Sequence, residues 1–244
     1  MSNIDLGSKP KAGGIKPNEQ QKIQIARAIQ GFKSPSFFGP IAEYAPLGFD
    51  IISDATGQGF AAYVINKSSI ASLDLSNANA SGMINLENCT ALYDLICFYN
   101  GLTSLDVTGC TSLTTLSCQS NALTSLDVSG CTSLYDLSCQ NNQLTSLDVT
   151  GCTALNTLSC GYSGLTSLDV SGCTSLYNLY CNYNALTSFA IDNIIIDLNT
   201  NGITTGYLNL SGGTSAAPSA ASAAALANLT APQPGGLGWV VITN

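Results

Sequence analysis

Ten cysteines form two regular columns in this sequence, and their thiols are the side chains best suited to chemistry. Within a column, successive cysteines are 21 residues apart, and the intervals between the two columns are 8 and 13 residues. Cysteines in such numbers suggest either disulfides or a metal site. The columns are Cys89, Cys110, Cys131, Cys152, Cys173 and Cys97, Cys118, Cys139, Cys160, Cys181.

The spacing of the cysteines argues against both chemistries. Stacked repeats place equivalent side chains about 4.8 Å apart and pointing the same way, whereas a disulfide needs converging Cβ vectors. The intervals do not match a zinc site, and the sequence has no histidine to complete one. We therefore predict reduced, buried cysteines that pack as small hydrophobic side chains, and neither a metal nor another cofactor.

A column of aspartates repeats at the same period and could bind a cation. Carboxylates at strand spacing repel one another unless hydroxyls, backbone N–H groups or a cation offset the repulsion. The serines two positions earlier are candidate donors; solvated carboxylates are the favoured interpretation and a calcium ladder the alternative. The column comprises Asp106, Asp127, Asp148 and Asp169, with Ser104, Ser125, Ser146 and Ser167 as the donors.

A second acidic motif begins like a calcium-binding loop. Asp197, Asn199, Asn201 and Gly202 match the pattern D-x-N-x-N-G. Leu208 occupies the position where an EF-hand needs a bidentate glutamate, so we predict no EF-hand.

Enzymatic activity has little support in the sequence. Without histidine, the Ser-His-Asp, Cys-His and H-E-x-x-H arrangements are excluded. No phosphate-binding loop is present, and nothing marks two acids with contrasting environments, although a paired-carboxylate hydrolase stays open. We predict a protein that is not an enzyme.

A 21-residue repeat must position all these side chains. Near-identical copies begin at Leu102, Leu123, Leu144 and Leu165, and degenerate copies begin at Ser81 and Leu186. Each copy reads L-x-x-L-x-V-x-x-C and then L-x-x-L-x-C-x-x-N, which predicts a solenoid with short β-segments on both halves of the coil. An asparagine column should satisfy backbone groups at the turn of each coil. It consists of Asn100, Asn121, Asn142 and Asn184, and Ser163 interrupts it.

The repeats resemble bacterial-type 21-residue leucine-rich repeats, especially the cysteine-ladder kind of internalin-J-like surface adhesins. The resemblance covers roughly residues 70–190. It implies a curved or flattened solenoid with a parallel sheet along one side, used to bind proteins or glycans. The C-terminal segments NLSGGTSAAPS and GWVVITN resemble the endings of leucine-rich-repeat proteins of bacteriophages.

We therefore predict a mainly β solenoid, a leucine-rich repeat with a parallel β-sheet, a mixed N-terminal module and an α/β C-terminal cap. The predicted divisions are 1–67, 68–190 and 191–244. The first contains a predicted helix over 17–30 and two strands around a turn at 54–59. In the third, a short helix, a strand at 207–210, a helix over 218–230 and a final strand containing Trp239 close the open end of the solenoid.

The charges divide sharply along the chain. Seven basic and five acidic residues give the first 67 positions a net charge of +2, whereas the rest carries ten acids without Lys or Arg. An acidic repeat body excludes a nucleic-acid surface there, because no cation is available for phosphates. No run of 18 apolar residues predicts membrane insertion, and no secretory signal is evident. Six of the basic residues are predicted to anchor the chain: Lys9, Lys11, Lys16, Lys22, Arg27 and Lys33.

Tyrosine is concentrated at the positions that vary between repeats. All seven tyrosines between 81 and 185 fall at such positions, where strand alternation turns side chains outward. Tyrosine beside Asn, Asp and Gln offers rigid contact area and directional hydrogen bonds, as binding surfaces do. The alternative is a surface that accepts sequence variation without binding anything, or one that a neighbouring subunit covers. The predicted contact residues are Tyr93, Asp94, Phe98, Tyr99, Tyr135, Asp136, Tyr162, Tyr177, Tyr180 and Tyr183.

These observations favour a phage virion protein (capsid-decorating, fibre or adhesin) assembled in the host cytoplasm. Residues 1–67 would contact other virion proteins, and the repeats would contact a host-surface protein or glycan. The chain is also a candidate homo-oligomer. The alternative is a bacterial internalin-like adhesin at the cell surface, or an interaction scaffold.

Overall fold

The chain folds into a series of short coils that stack around one continuous apolar core. The computed structural model describes residues 50–52, 63–65, 70–78 and 80–244. Within them, each 21-residue repeat makes one coil, and its second half contributes one strand to a parallel sheet. The predicted leucine-rich-repeat solenoid is confirmed.

The main sheet has eight strands of three residues each, all paired in parallel. Neighbouring strands are shifted by one repeat without slippage, so that Leu116 pairs with Leu137 and Leu137 with Leu158. Because the register is constant, equivalent residues of successive coils form straight columns across the sheet. Its strands are β3 Ser72–Asp74, β5 Asp94–Ile96, β7 Thr115–Ser117, β8 Asp136–Ser138, β9 Thr157–Ser159, β10 Asn178–Tyr180, β11 Tyr207–Asn209 and β12 Val240–Ile242.

The other flank of the coils is less regular than the sequence indicates. Strands β4 (Ser81–Asn85) and β6 (Gly101–Asp106) pair in parallel there. In the following coils a single isolated bridge between Asp127 and Asp148 replaces them. The prediction of strands on both halves of every coil is therefore wrong beyond the first copies.

The framework residues fill the core. The leucines and cysteines of every coil belong to one hydrophobic cluster and are almost completely buried. The asparagine column works as predicted: the Asn121 amide donates to the carbonyls of Cys97 and Cys118, and its oxygen accepts from the Leu102 N–H. Asn142 repeats this pattern one coil further on. These amides close the turn of each coil, where backbone groups would otherwise lack partners.

The last turns of the solenoid contain helices. Helix α1 (Ser188–Asn201) begins after Thr187, whose side chain accepts from the Ala190 N–H, and ends at Gly202 in the left-handed conformation. A degenerate repeat was predicted from Leu186, with a short helix in the apolar run after Phe189; α1 confirms that helix and extends it over Ser188–Asn201. Asp197, Asn199 and Asn201 lie within this helix and not in a loop.

Helix α2 (Ala223–Thr230) and strand β12 follow, preceded by a 3₁₀ turn at Ala220–Ser222. Trp239 is buried against Gly206, where any side chain would collide with the indole, and its N–H donates to the Ile203 carbonyl. Asp192 of α1 accepts hydrogen bonds from the Ser219 N–H and from the Ser222 hydroxyl, which ties the two helices together. The indole and the buried carboxylate thus fix the closing segment onto the last coil.

The N-terminal region is described only in part. Strands β1 (Asp50–Ile52) and β2 (Tyr63–Ile65) form an antiparallel pair, as predicted for the two segments around the Gly-containing turn. The helix predicted over 17–30 and all the predicted anchoring residues, Lys9, Lys11, Lys16, Lys22, Arg27 and Lys33, lie outside the described residues. The boundaries at 67 and 190 remain predictions.

Candidate binding surface

The outward face of the main sheet presents two columns of side chains, one on each side of the buried central leucines. The first column reads Ser72, Asp94, Thr115, Asp136, Thr157, Asn178, Tyr207 and Val240. The second reads Asp74, Ile96, Ser117, Ser138, Ser159, Tyr180, Asn209 and Ile242. We call this face, with the residues that flank its strands, the sheet face.

All ten predicted contact residues lie on the sheet face or at its margins. Six tyrosines there are exposed, from 36% for Tyr177 to 62% for Tyr99. Asp94, Phe98, Asp136 and Tyr180 are half-buried. The exposed six are Tyr93, Tyr99, Tyr135, Tyr162, Tyr177 and Tyr183.

Aromatic contacts link neighbouring coils along this face. The rings of Tyr162 and Tyr183 stack with their centroids 4.4 Å apart and their planes 14° from parallel. Tyr180 lies against Tyr207, with centroids 5.0 Å apart. Tyr207, Val240 and Ile242 extend the face onto the closing segment and were not among the predicted contacts. The alternation in YLNL and GWVVITN is the signal that could have revealed them.

Three of the tyrosines adopt a backbone conformation that is unfavourable for them. The second residue after each cysteine of the column that begins at Cys97, and after Leu75 in the first coil, has a positive φ, because the chain turns sharply there. Asparagine suits this left-handed region, whereas a bulky side chain raises the energy by about 1–2 kcal/mol. The column consists of Asn77, Tyr99, Ser120, Asn141, Tyr162 and Tyr183. The sequence pattern does not reveal this strain, since nothing in it marks the sign of φ.

A cleft opens beside the stacked pair, centred on Gly161. The column position occupied by Gln119, Gln140 and Asn182 in neighbouring coils holds only a hydrogen atom in this coil. The cleft has a volume of about 280 Å³. Its lining comprises Gln140, Asn141, Ser159, Gly161, Tyr162, Tyr180 and Asn182. A methyl group on Gly161 would lie 2.7 Å from the Asn182 carbonyl oxygen, so the close approach of the next coil requires glycine.

Charge is distributed unevenly over the sheet face. Asp74, Asp94 and Asp136 lie among its first strands, while no outward position of β9 to β12 carries a charge. Burial raises the pKa of Asp136, although a hydrogen bond from Ser138 partly offsets this. The face therefore offers an acidic region at one end and a neutral, aromatic and amide-rich region at the other.

The ten cysteines are free and buried. Burial raises the pKa of Cys97, Cys131, Cys173 and Cys181 to about 12. In the first column the thiols donate to carbonyls of the preceding coil, as from Cys152 to Val128 at 3.3 Å. Such protonated, enclosed thiols are unsuited to nucleophilic or redox chemistry.

The aspartates of the repeated column stabilise turns through hydrogen bonds from their side chains to the backbone. Each carboxylate accepts from the N–H two residues later, as Asp148 does from Thr150 at 2.8 Å. These bonds hold the pKa values of Asp148 and Asp169 below their usual range: the Thr150 and Ser171 side chains contribute first and their N–H groups second. Ser129 and Ser171 supply hydroxyl bonds, in place of the serines expected two positions earlier.

Among the residues with described positions, no group of His, Cys, Asp or Glu is arranged to hold a metal ion. None of the described helices is long and apolar enough to cross a bilayer.

Comparison with known proteins agrees with the fold. A family model for leucine-rich repeats (two copies) matches residues 111–151. Leucine-rich-repeat proteins are generally binding scaffolds rather than enzymes, and most bind other proteins. No curated protein sequence matches the chain.

Three solved structures illustrate the similarity. An internalin from Listeria monocytogenes is 23% identical with a TM-score of 0.47, over 61% of this chain and 44% of that one. The functional domain of Listeria monocytogenes internalin J, which includes a cysteine ladder, is 25% identical with a TM-score of 0.34, over 75% and 56%. The leucine-rich-repeat domain of a Shigella effector is 17% identical with a TM-score of 0.48, over 93% and 98%. The chain thus spans less than half of the first of these internalins.

Proposed function

We propose that this protein is a non-enzymatic binding scaffold that contacts a host-surface protein or glycan through its sheet face. One observation carries the proposal: six exposed tyrosines from four coils lie on the sheet face and its margins, while the Leu/Cys/Asn framework is buried. Exposed aromatic side chains beside amides and hydroxyls give large contact area at low entropic cost. The strain at Tyr99, Tyr162 and Tyr183 adds support, because unfavourable conformations concentrate at functional sites.

Binding of the labelled full-length chain to intact host cells tests this proposal. We expect saturable binding that excess unlabelled chain displaces. A cysteine-ladder protein of the same size with a serine and threonine sheet face is the matched control. Binding that does not saturate, or that the control reproduces, would contradict a specific partner.

We further propose that the chain is a phage virion component whose residues 1–67 attach it to other virion proteins. The confinement of all seven basic residues to this region supports the idea, since a cationic segment suits attachment to an acidic partner. The similarity of the C-terminal segments to endings of phage leucine-rich-repeat proteins supports it as well. Mass spectrometry of purified particles is the test: the chain should be present at a fixed copy number, and its absence would refute the virion role.

The alternative is a bacterial surface adhesin of the internalin type. The cysteine ladder, shared in kind with internalin J, favours it. Antibody labelling of intact bacteria distinguishes the two, because only the adhesin would be detected on uninfected cells.

A further inference from the structure

The cleft at Gly161 is an open depression on the neutral part of the sheet face. Tyr162 and Tyr180 supply aromatic walls, and the Gln140 and Asn182 amides stand in the coils before and after Gly161. The Ser159 hydroxyl lies on the adjoining strand β9. No lining residue carries a charge, so an ionic ligand would find no counter-charge here.

The aromatic walls are held in place by contacts outside the cleft. Tyr162 stacks on Tyr183, and Tyr183 in turn lies over Gly212, where a side chain would approach its ring to 3.0 Å. Tyr180 is supported by Tyr207. A ligand can therefore use these rings without ordering them first, which lowers the entropic cost of binding.

Gln140 also brings a hydrogen-bonding amide to the cleft. Its side-chain oxygen is enclosed without a hydrogen-bond partner among the described residues, and the same holds for Gln119 one coil earlier, outside the cleft. The unpartnered oxygen therefore belongs to this glutamine column, and the cleft is distinguished by its aromatic rings and by the glycine at position 161.

A peptide would not suit this cleft well. Strands β8, β9 and β10 are each paired on both sides, so the backbone here offers no free edge for strand addition. A cavity of about 280 Å³ is also near the lower limit for small-ligand sites, which favours one compact ring.

We infer that the Gly161 cleft binds one neutral sugar ring, with its C–H face against Tyr162 or Tyr180 and its hydroxyls bonded to the Gln140 and Asn182 amides. Aromatic faces attract C–H groups, and amides donate and accept in the same small space, as a polyol requires. This inference rests on the proposed function and specifies one contact of the sheet face: a sugar residue of a surface glycan.

The test is a titration of the full-length chain with methyl glycosides of glucose, galactose, mannose and N-acetylglucosamine, followed by tyrosine NMR signals. N-acetylneuraminic acid is the anionic comparison. At least one neutral glycoside should shift the Tyr162 and Tyr180 signals saturably, with a millimolar Kd typical of a single ring. The anionic sugar should bind more weakly, because the repeat body is acidic.

Single substitutions distinguish sugar binding in the cleft from binding elsewhere on the protein surface. Tyr162→Ala and Gln140→Ala should each weaken sugar binding at least about fivefold, whereas Thr124→Ala, an exposed position away from the sheet face, should leave it unchanged. Gly161→Ala fills the cleft but presses on Asn182, so Gln140→Ala, which adds no atoms, is the decisive variant. Circular dichroism verifies the fold of each.

Absence of saturable shifts at about 50 mM of every neutral glycoside would overturn the inference, because even weak single-ring binding would be visible there. Equal binding by Thr124→Ala and Gln140→Ala would overturn it too. Cell binding that persists in that case leaves the proposed function intact, so the two failures are distinguishable.

Discussion

The ring of Tyr162 stacks on the ring of Tyr183 in the next coil, although both residues have positive φ angles of 52° and 55°. Asparagine or glycine at these positions would avoid the strain. The stacking recovers about 0.5–1.5 kcal/mol, less than the roughly 2–4 kcal/mol that the two residues lose at about 1–2 kcal/mol each. The pair is therefore a net cost to stability, and its rings are best explained by contact with a partner.

The strain in the column of residues with positive φ leads to a prediction about stability that does not depend on binding. Ser120→Gly should raise the free energy of unfolding by about 0.5–1 kcal/mol, because glycine adopts the left-handed region without strain. Asn141→Gly is the matched control and should change stability by less, since asparagine tolerates this region. Urea unfolding followed by circular dichroism measures both. A loss of stability in Ser120→Gly would contradict the strain assigned to this column.

Ser163, which interrupts the asparagine column, leads to a second prediction about stability. The Ser163 hydroxyl is buried without a hydrogen-bond partner in the described part of the chain, at the position where Asn142 makes three bonds in the preceding coil. Ser163→Asn should therefore stabilise the protein by about 1–3 kcal/mol, and Asn142→Ser should destabilise it by a similar amount. Thermal unfolding of the two variants provides the comparison. Equal melting temperatures for both would show that these amides do not hold the coil turns.

Thiol reactivity tests the interpretation of the cysteine ladders. Since burial keeps the thiols protonated, a disulfide reagent at pH 8 should react with almost none of them in the native protein. In denaturant all ten should react. A count below about eight under denaturing, non-reducing conditions would instead indicate disulfides.

The pH dependence of stability should differ in sign between two aspartates. Burial raises the pKa of Asp192, but the hydrogen bonds from Ser219 and Ser222 outweigh it and hold that pKa below its usual range. Its stabilisation is thus present above the unfolded pKa of about 4 and is lost as the pH falls through the lower folded value. Asp192→Asn should cost about 2–3 kcal/mol at pH 7 and less in acid.

Asp136 serves as the control, because the pH dependence of its contribution to stability should have the opposite sign. Burial raises its folded pKa, so ionisation opposes folding as the pH rises from the unfolded value through the folded one. Asp136→Asn should therefore stabilise the protein at pH 7 and lose this advantage in acid. Chemical unfolding between pH 3 and pH 7 checks both variants, and parallel pH profiles would refute the assignment.

The repeat pattern accounts for much of this structure before any coordinates are known. Because the 21-residue period is strict, the register of Leu116, Leu137 and Leu158 follows, and with it the outward position of Tyr93 and Tyr135. A helix was predicted in the apolar run after Phe189, but its start at Ser188 was not, since the LTS at this point is identical to the start of earlier coils. The Gly161 cleft depends on how Asn182 lies over a single glycine, which is a matter of contacts between coils rather than of pattern.

The most direct test of the sheet face as the binding surface compares two triple variants in the cell-binding measurement. Tyr93→Ala/Tyr135→Ala/Tyr177→Ala removes one exposed ring from three coils of the sheet face. The matched control, Thr124→Ala/Thr145→Ala/Thr166→Ala, truncates exposed residues in the first half of three coils, away from the sheet. We predict that the tyrosine variant raises the Kd at least about tenfold and the threonine variant less than about twofold. Equal affinities for the two variants would contradict the account.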